Sequence, residues 1–154
     1  MKRLSFFLPL LVLLSCAASV TRFEQYSLSM SFPVAADSSV TIGDDERLHG
    51  VLWLAPILKE ENVSLERVKL IQNFGFYYLC GEGFRYVWRI ERKRDGLTGN
   101  YRAVDVTPKD KSDVYHGVGF ARYGEGEQVC VRFKFNNQEV YIDKKGRVHD
   151  TCNR

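Results

Sequence analysis

Three histidines are the residues of this chain best suited to acid–base chemistry. They are His49, His116 and His149, and an imidazole that titrates near neutral pH can act as a general base or acid. None of them lies in a local pattern typical of a nucleophile elbow or a catalytic triad. His149 with glutamate and arginine partners could imitate a small secreted ribonuclease, which needs a carboxylate, a histidine and an arginine around one phosphate. That activity is kept as a hypothesis, but no catalytic residue, metal site or cofactor is predicted.

A basic and aromatic stretch is the second candidate for function. Arg85 and Arg89 alternate with Tyr86 and Trp88, and further basic residues follow as far as Arg94. Such a stretch can bind RNA or another polyanion through charge and base stacking. A period of two also places the aromatic side chains in a core and the arginines in solvent. The interpretation as an amphipathic strand, with buried aromatic residues and solvated arginines, is favoured.

The segment 115–124 is the third candidate, because glycines relieve a strand there that ends in Arg122 and Tyr123. Loops and strand ends of this kind often carry binding residues, although a plain hairpin is the simpler interpretation. The sequence favours a surface that binds another protein. The binding residues predicted for it are Arg122, Tyr123, Arg85, Arg89 and Arg132.

The N-terminus is typical of an exported protein. An apolar run at residues 6–14 follows two basic residues, and small residues come directly after it. The run is too short to span a bilayer as a helix, so residues 1–19 are interpreted as a signal peptide cleaved near residues 16–19. Leu13-Leu14-Ser15-Cys16 also resembles a bacterial lipobox. Acylation of Cys16, with anchoring to the outer membrane or in the periplasm, is therefore the alternative to free secretion.

Without that leader the chain is nearly neutral. Twenty basic and 19 acidic residues follow Cys16, so a global electrostatic footprint for nucleic acid or a membrane surface is absent. We expect a host or foreign protein as partner, no nucleic acid, and membrane contact only through a lipid on Cys16. Residues 20–45 are interpreted as a polar N-terminal arm or strand and residues 46–154 as one β-rich domain. Asn62 begins a glycosylation sequon, which applies if the source is eukaryotic.

Helical patterns precede a β-rich half. Residues 46–58 carry apolar residues at helical spacing interrupted by Pro56, although residues 51–54 could equally be a buried strand. A second helix is predicted over residues 64–75. From Phe74 onward the period changes to two, and turn residues separate the strands. The predicted fold is α+β and mainly antiparallel: a compact β meander or sandwich of about six strands, with one or two preceding helices and a disulfide.

Three cysteines remain after Cys16, and an oxidising compartment favours one disulfide among them. Alternation places Cys130 on the side of its strand opposite Val131 and Phe133. Cys80 shares a face with large aromatic residues, and Cys152 ends the domain. We predict the pair Cys80–Cys152, with Cys80–Cys130 as the rival pairing.

Residues 78–152 resemble the membrane-bound and periplasmic inhibitors of c-type lysozyme. The matching residues are Tyr78-Leu79-Cys80, Gly83, Tyr86, Trp88, Ile90, Phe120-Ala121-Arg122-Tyr123 and Cys152. The resemblance implies that Arg122 and neighbouring loops enter an enzyme cleft and that Cys80 is bridged to Cys152. This chain has Gly117-Val118-Gly119 where that family brings a serine to the lysozyme active site, and it lacks the family's Trp-x-Lys-Gly segment.

In general form the chain also resembles small secreted effectors of plant-pathogenic fungi. The shared features are a signal peptide, a Tyr-x-Cys element, a late cysteine and a compact β-rich domain without a catalytic signature. This resemblance implies a secreted, non-enzymatic virulence protein that binds a host macromolecule, and it is the favoured interpretation. A lipid-anchored bacterial envelope inhibitor of lysozyme-type enzymes is the alternative.

Overall fold

The computed structural model describes residues 30–42, 51–73, 75–92, 99–107, 114–124 and 129–152. Within these ranges the chain forms eleven strands in three antiparallel sheets and one short helix. The elements are β1 (Met30–Pro33), β2 (Ser39–Thr41), β3 (Val51–Trp53), α1 (Ala55–Glu61), β4 (Arg67–Asn73), β5 (Phe76–Cys80), β6 (Val87–Arg92), β7 (Gly99–Val104), β8 (Gly119–Tyr123), β9 (Cys130–Phe135), β10 (Gln138–Ile142) and β11 (Val148–His149). The mainly antiparallel β prediction is confirmed, whereas the expected count of six strands is too low.

The first sheet has five strands in the order β1-β4-β5-β6-β7. β4 occupies most of the segment that was expected to form a helix over residues 64–75. Val68 and Leu70 are buried on one of its faces and Ile71 on the other. A strand that is buried on both faces loses its alternating pattern, so its apolar residues can match a helical period as well.

The single helix α1 follows directly after β3, which confirms the strand alternative for Val51–Trp53. Pro56 lies in the first turn of α1 and does not interrupt it, because an N–H at that position has no partner within the helix. Asn62 ends the helix in the left-handed conformation, with φ 55° and ψ 45°. Its backbone N–H donates to the carbonyl groups of the last turn, as a helix C-cap does.

The second sheet has four strands in the order β11-β10-β9-β8. Asn136 and Asn137 join β9 to β10 with φ values of 46° and 61°, so the predicted tight turn is confirmed. The side chain of Asn136 accepts a hydrogen bond from the backbone N–H of His116 at 2.8 Å and donates to the carbonyl of Val114 at 3.0 Å. The turn therefore also holds the segment that leads into β8.

The first sheet lies between two other layers. Trp88 and Tyr101 project from one face and hydrogen-bond to α1 and β3. Tyr78 and Arg89 project from the opposite face and donate to carbonyl groups of the turn 143–147. The helix and the β2–β3 pair thus cover one face of the first sheet, and the second sheet packs on the other.

The disulfide joins Cys130 to Cys152, with 6.0 Å between their Cα atoms. Cys80 is a free, buried thiol, so neither the predicted Cys80–Cys152 pair nor the rival Cys80–Cys130 pair is formed. Cys80 lies on the face of β5 that packs against the second sheet. Cys152 follows β11 and lies on the outer side of the second sheet, where Cys130 is its neighbour. Burial raises the pKa of the Cys80 thiol well above its usual value, which makes it a poor nucleophile.

Glu61 at the end of α1 has a fully buried side chain. Its carboxylate accepts hydrogen bonds from the backbone N–H of Arg85 at 2.7 Å and of Tyr86 at 3.2 Å. The indole N–H of Trp88 donates to it at 2.7 Å, and Nε of Arg85 lies 3.7 Å away. A carboxylate tolerates burial when several donors surround it, so this group can join the helix to the start of β6.

Substitution Glu61→Ala should destabilise the fold by about 3 kcal/mol, because it leaves three buried or half-buried N–H donors without their acceptor. Denaturant unfolding followed by tryptophan fluorescence measures this difference. The matched control is Glu60→Ala, which removes an exposed carboxylate one position earlier and should change the stability by less than about 0.5 kcal/mol. Equal effects of the two substitutions would contradict the anchoring role.

Candidate functional site

The outer face of the second sheet is the candidate site. It is formed by Tyr123, Arg132, Tyr141 and His149, which lie on four neighbouring strands. Tyr123 is exposed, whereas Tyr141 is buried, with 8% of its surface exposed. Arg132 is the cross-strand neighbour of Tyr141, and Tyr141 is the neighbour of His149. The residues that alternate with them, including Val131, Phe133 and Ile142, are buried in the core. Alternation therefore directs this set of polar and aromatic side chains away from the first sheet.

Two tyrosines and one arginine form a cluster on this face. Tyr123 is 48% exposed, the highest value among the exposed large hydrophobic residues of the described part of the chain. Its ring lies 5.2 Å from the ring of Tyr141 in an edge-to-face arrangement, and the guanidinium carbon of Arg132 lies 5.9 Å from its centre. Both contacts are favourable for an aromatic ring, and they hold Tyr123 in place at the surface.

The hydroxyl of Tyr141 is held by a neighbouring carboxylate. The hydroxyl donates to the carboxylate of Glu139 at 3.0 Å, and this hydrogen bond raises the pKa of Tyr141. The phenol therefore remains a neutral donor at physiological pH, and the ring has a fixed orientation beside Tyr123. The sequence predictions did not include Tyr141, although its alternation with Val140 and Ile142 could have placed it on this face.

A carboxylate, an arginine and a histidine meet beyond the end of β10. Oδ2 of Asp143 lies 2.7 Å from Nε of Arg147 and 3.3 Å from Nε2 of His149. Oδ1 accepts hydrogen bonds from the backbone N–H groups of Lys145 and Arg147. The three groups that the ribonuclease hypothesis requires are thus brought together, but the carboxylate is already engaged by the turn 143–147.

The electrostatics of Asp143 reflect that engagement. Burial alone would raise the pKa of its carboxyl, but the hydrogen bonds from Arg147, His149 and Lys145 hold that pKa at about 2, below the usual 3.8. A carboxylate with so low a pKa is a weak base near neutral pH. Asp143 is therefore suited to orienting His149 and closing the turn, and not to accepting a proton itself.

Two of the predicted binding residues, Arg85 and Arg89, also have contacts within the fold. The guanidinium of Arg85 donates to the carbonyl of Glu60 at 2.7 Å, beside Glu61. Arg89 stacks on Phe76, with 3.4 Å from its guanidinium carbon to the ring centre, and donates to the carbonyl of Lys144. Arg85 thus holds α1 and Arg89 holds the second sheet, which differs from the expectation that both arginines lie free in solvent.

The remaining predicted residues are separate from the outer face or lie outside the described ranges. Arg122 is exposed, but alternation turns it away from Tyr123. Asn62 is exposed at the end of α1, beside an open groove of about 910 Å³ between α1 and residues 34–38. Cys16 and His49 are not among the described residues.

His116 lies apart from His149, next to the carboxylate of Glu82. Its ring Nδ1 lies 3.7 Å from the carboxylate of Glu82, and that carboxylate accepts hydrogen bonds from the backbone N–H groups of Gly117 and Val118. Glu82 therefore anchors the segment before β8 to the β5–β6 connection. His116 is mostly exposed and lies at the edge of this contact.

Among the described residues, no three His, Cys, Asp or Glu side chains form a group that could hold a metal ion. No helix in the described ranges is long and apolar enough to cross a bilayer. No protein family, curated protein or solved structure was found to match this chain.

Replacing Asp143 by asparagine should flatten the acid dependence of stability. The folded-state pKa of Asp143 is depressed, so its contribution is complete above about pH 4 and is lost as the pH falls through about 2. Unfolding midpoints measured between pH 2 and pH 7 should therefore converge for the wild type and Asp143→Asn at the acid end. Asp150→Asn, an exposed control, should leave the profile unchanged. Parallel profiles for the wild type and Asp143→Asn would show that the turn does not depend on the ionised carboxylate.

Proposed function

We propose that this protein is an exported, non-enzymatic domain that binds another protein through the outer face of its second sheet. The observation that carries this proposal is the exposed Tyr123, held between Tyr141 and Arg132 on a rigid sheet. Tyrosine and arginine dominate the binding energy of protein interfaces. Because their orientations are already fixed, they lose little conformational entropy on binding.

The disulfide supports export and the rigidity of this face. Cys130 is the cross-strand neighbour of Tyr123, and its bond to Cys152 ties the chain end to β9. Disulfides form and persist in oxidising compartments such as the extracellular space and the bacterial periplasm. Within this proposal the protein is a secreted virulence effector, and its partner is a host protein.

Photo-crosslinking from the outer face should identify the partner. A photoreactive phenylalanine analogue at position 123 is expected to give a defined covalent adduct when the exported protein meets its natural surroundings. The matched control carries the same analogue at Arg102, an exposed position on β7 of the first sheet, and should give no such adduct. Adducts from position 102 alone, or from neither position, would contradict the assignment of this face.

Once the partner is purified, Tyr123→Ala should weaken its binding by more than tenfold, as truncation of an interface tyrosine in a central contact does. Calorimetry or surface plasmon resonance measures the change, and Arg102→Gln serves as control. A Tyr123→Ala protein with unchanged affinity would remove Tyr123 from the interface. Lysozyme of the c type is the first defined protein to test in the same assay.

A secreted ribonuclease is the second candidate function. One observation favours it: the structure brings His149 to Asp143 and Arg147, with Arg132 and Glu139 on the same side of the sheet. In such an enzyme His149 would transfer the proton while an arginine neutralises the phosphate.

Incubation with a fluorogenic oligoribonucleotide separates this candidate from the main proposal. A ribonuclease should lose at least about a hundredfold in rate in His149→Ala and retain its rate in His116→Ala, because general acid–base catalysis contributes on that order. No cleavage by the wild type, or cleavage that survives both substitutions, removes the enzyme hypothesis and agrees with the binding function.

A further inference from the structure

We infer that the outer face recognises one carboxylate side chain of its protein partner through the guanidinium of Arg132. This inference rests on the proposed function, since it names the chemical group that the binding face receives. The expected ligand is a segment with a single aspartate or glutamate between apolar side chains.

Arg132 is a half-buried cation without an acidic partner in the described part of the chain. Its Nε–H is buried and has no acceptor there, and none of the ion pairs in these ranges includes it. Its guanidinium contacts the ring of Tyr123. Removing a guanidinium from water without an acceptor or counter-ion costs free energy. A partner's carboxylate would offset this cost by pairing with the solvent-facing part of the guanidinium, because the Nε–H itself is buried.

The other charges on this face favour a single carboxylate over a polyanion. Glu139 and Lys134 lie on the same side of the sheet as Arg132 and are cross-strand neighbours. Asp143 follows β10 and lies beside His149. Glu139 already receives the hydroxyl of Tyr141, and Asp143 is paired with Arg147. These two carboxylates would repel the closely spaced phosphates of a nucleic acid. Lys134 lies opposite Glu139, whereas the cross-strand neighbours of Arg132 are Tyr141 and Ala121, which carry no charge. One negative charge flanked by apolar groups therefore matches Arg132 beside the exposed ring of Tyr123.

The surface beside Arg132 has room for such a side chain. Ala121 is the cross-strand neighbour of Arg132 on β8, and Gly119 lies two residues before it on the same side. A Cβ atom built on Gly119 would meet no atom within 4 Å. The small residues of β8 therefore leave an open strip next to the guanidinium, bounded at its end by the exposed ring of Tyr123.

Two capped pentapeptides test the inference on the oxidised, exported protein. One carries a glutamate between two leucines with an alanine at each end, and the other has glutamine in place of the glutamate. Titrations followed by NMR should show the glutamate peptide binding about fivefold more tightly, as expected for one charge pair at a half-buried site. Arg132→Gln should abolish this preference, whereas Arg102→Gln, which removes an exposed arginine of the first sheet, should keep it.

Several outcomes would overturn the inference. These are equal binding of the two peptides, no binding of either, or a glutamate preference that survives Arg132→Gln. Tighter binding of a uridine trinucleotide than of the glutamate peptide would assign the guanidinium to nucleic acid instead. If position 123 still crosslinks to a partner after any of these results, the outer face remains the binding face. Only the inferred preference for a carboxylate is then wrong.

The double variant Glu125→Gln/Glu127→Gln tests whether the chain itself supplies the carboxylate. These are the acidic residues of the connection between β8 and β9. Unchanged glutamate preference in this variant supports a partner's carboxylate as the natural ligand. A gain in that preference means that Arg132 is already paired within the chain, and it overturns the inference.

A stability measurement separates recognition from a structural role of Arg132. Because its Nε–H lacks an acceptor, Arg132→Met should unfold at the same or a higher denaturant concentration than the wild type while losing the glutamate preference. Replacing a desolvated charge by an apolar side chain of similar volume is often neutral or stabilising, and binding residues are often retained at a cost in stability. A clearly lower unfolding midpoint for Arg132→Met would make Arg132 a structural residue and overturn the inference.

Discussion

The buried carboxylate of Glu61 is the interaction on which the arrangement of layers depends. It receives two backbone N–H groups and the indole N–H of Trp88, and so fixes α1 against the strand β6. Glu82 also accepts two backbone N–H groups, from Gly117 and Val118, and holds the segment that leads into β8, although its side chain is more than half exposed. Two acidic side chains thus satisfy backbone donors of irregular segments, which would be costly to leave unpaired. Glu61 therefore holds the helix against the first sheet, and Glu82 holds the segment that enters the second sheet.

The outer face of the second sheet differs from the rest of the molecule in how its polar groups are used. Arg85 and Arg89 are engaged in holding layers together. Tyr123 and Arg132 instead contact each other at the surface, and their geometry is supported by the adjacent disulfide and by Tyr141. Side chains held rigidly at a surface lose little conformational entropy on binding, and this contrast is the physical basis for proposing a binding function here.

Several elements were predictable because their signals are local. The tight turn at Asn136 and Asn137 requires left-handed residues, and the alternation in β9 places Val131 and Phe133 inward whatever the partner strands are. Other elements were not. β4 is buried on both faces, so its periodicity resembles that of a helix, and Pro56 marks the beginning of a helix where it was expected to interrupt one. For the candidate site, alternation indicated Arg132, whereas nothing in the local pattern brings Tyr141 beside Tyr123.

The sequence by itself determined the antiparallel β character, the turns and the inward or outward side of most residues in the second half, since these depend on neighbours along the chain. Only the tertiary structure decided which cysteines pair, because Cys80 and Cys130 lie on different sheets and the chain end returns to just one of them. It also decided that Arg85 and Arg89 hold layers of the fold together. A charge at the surface of a strand becomes structural or functional according to the layer that packs over it, and that layer is supplied by distant parts of the chain.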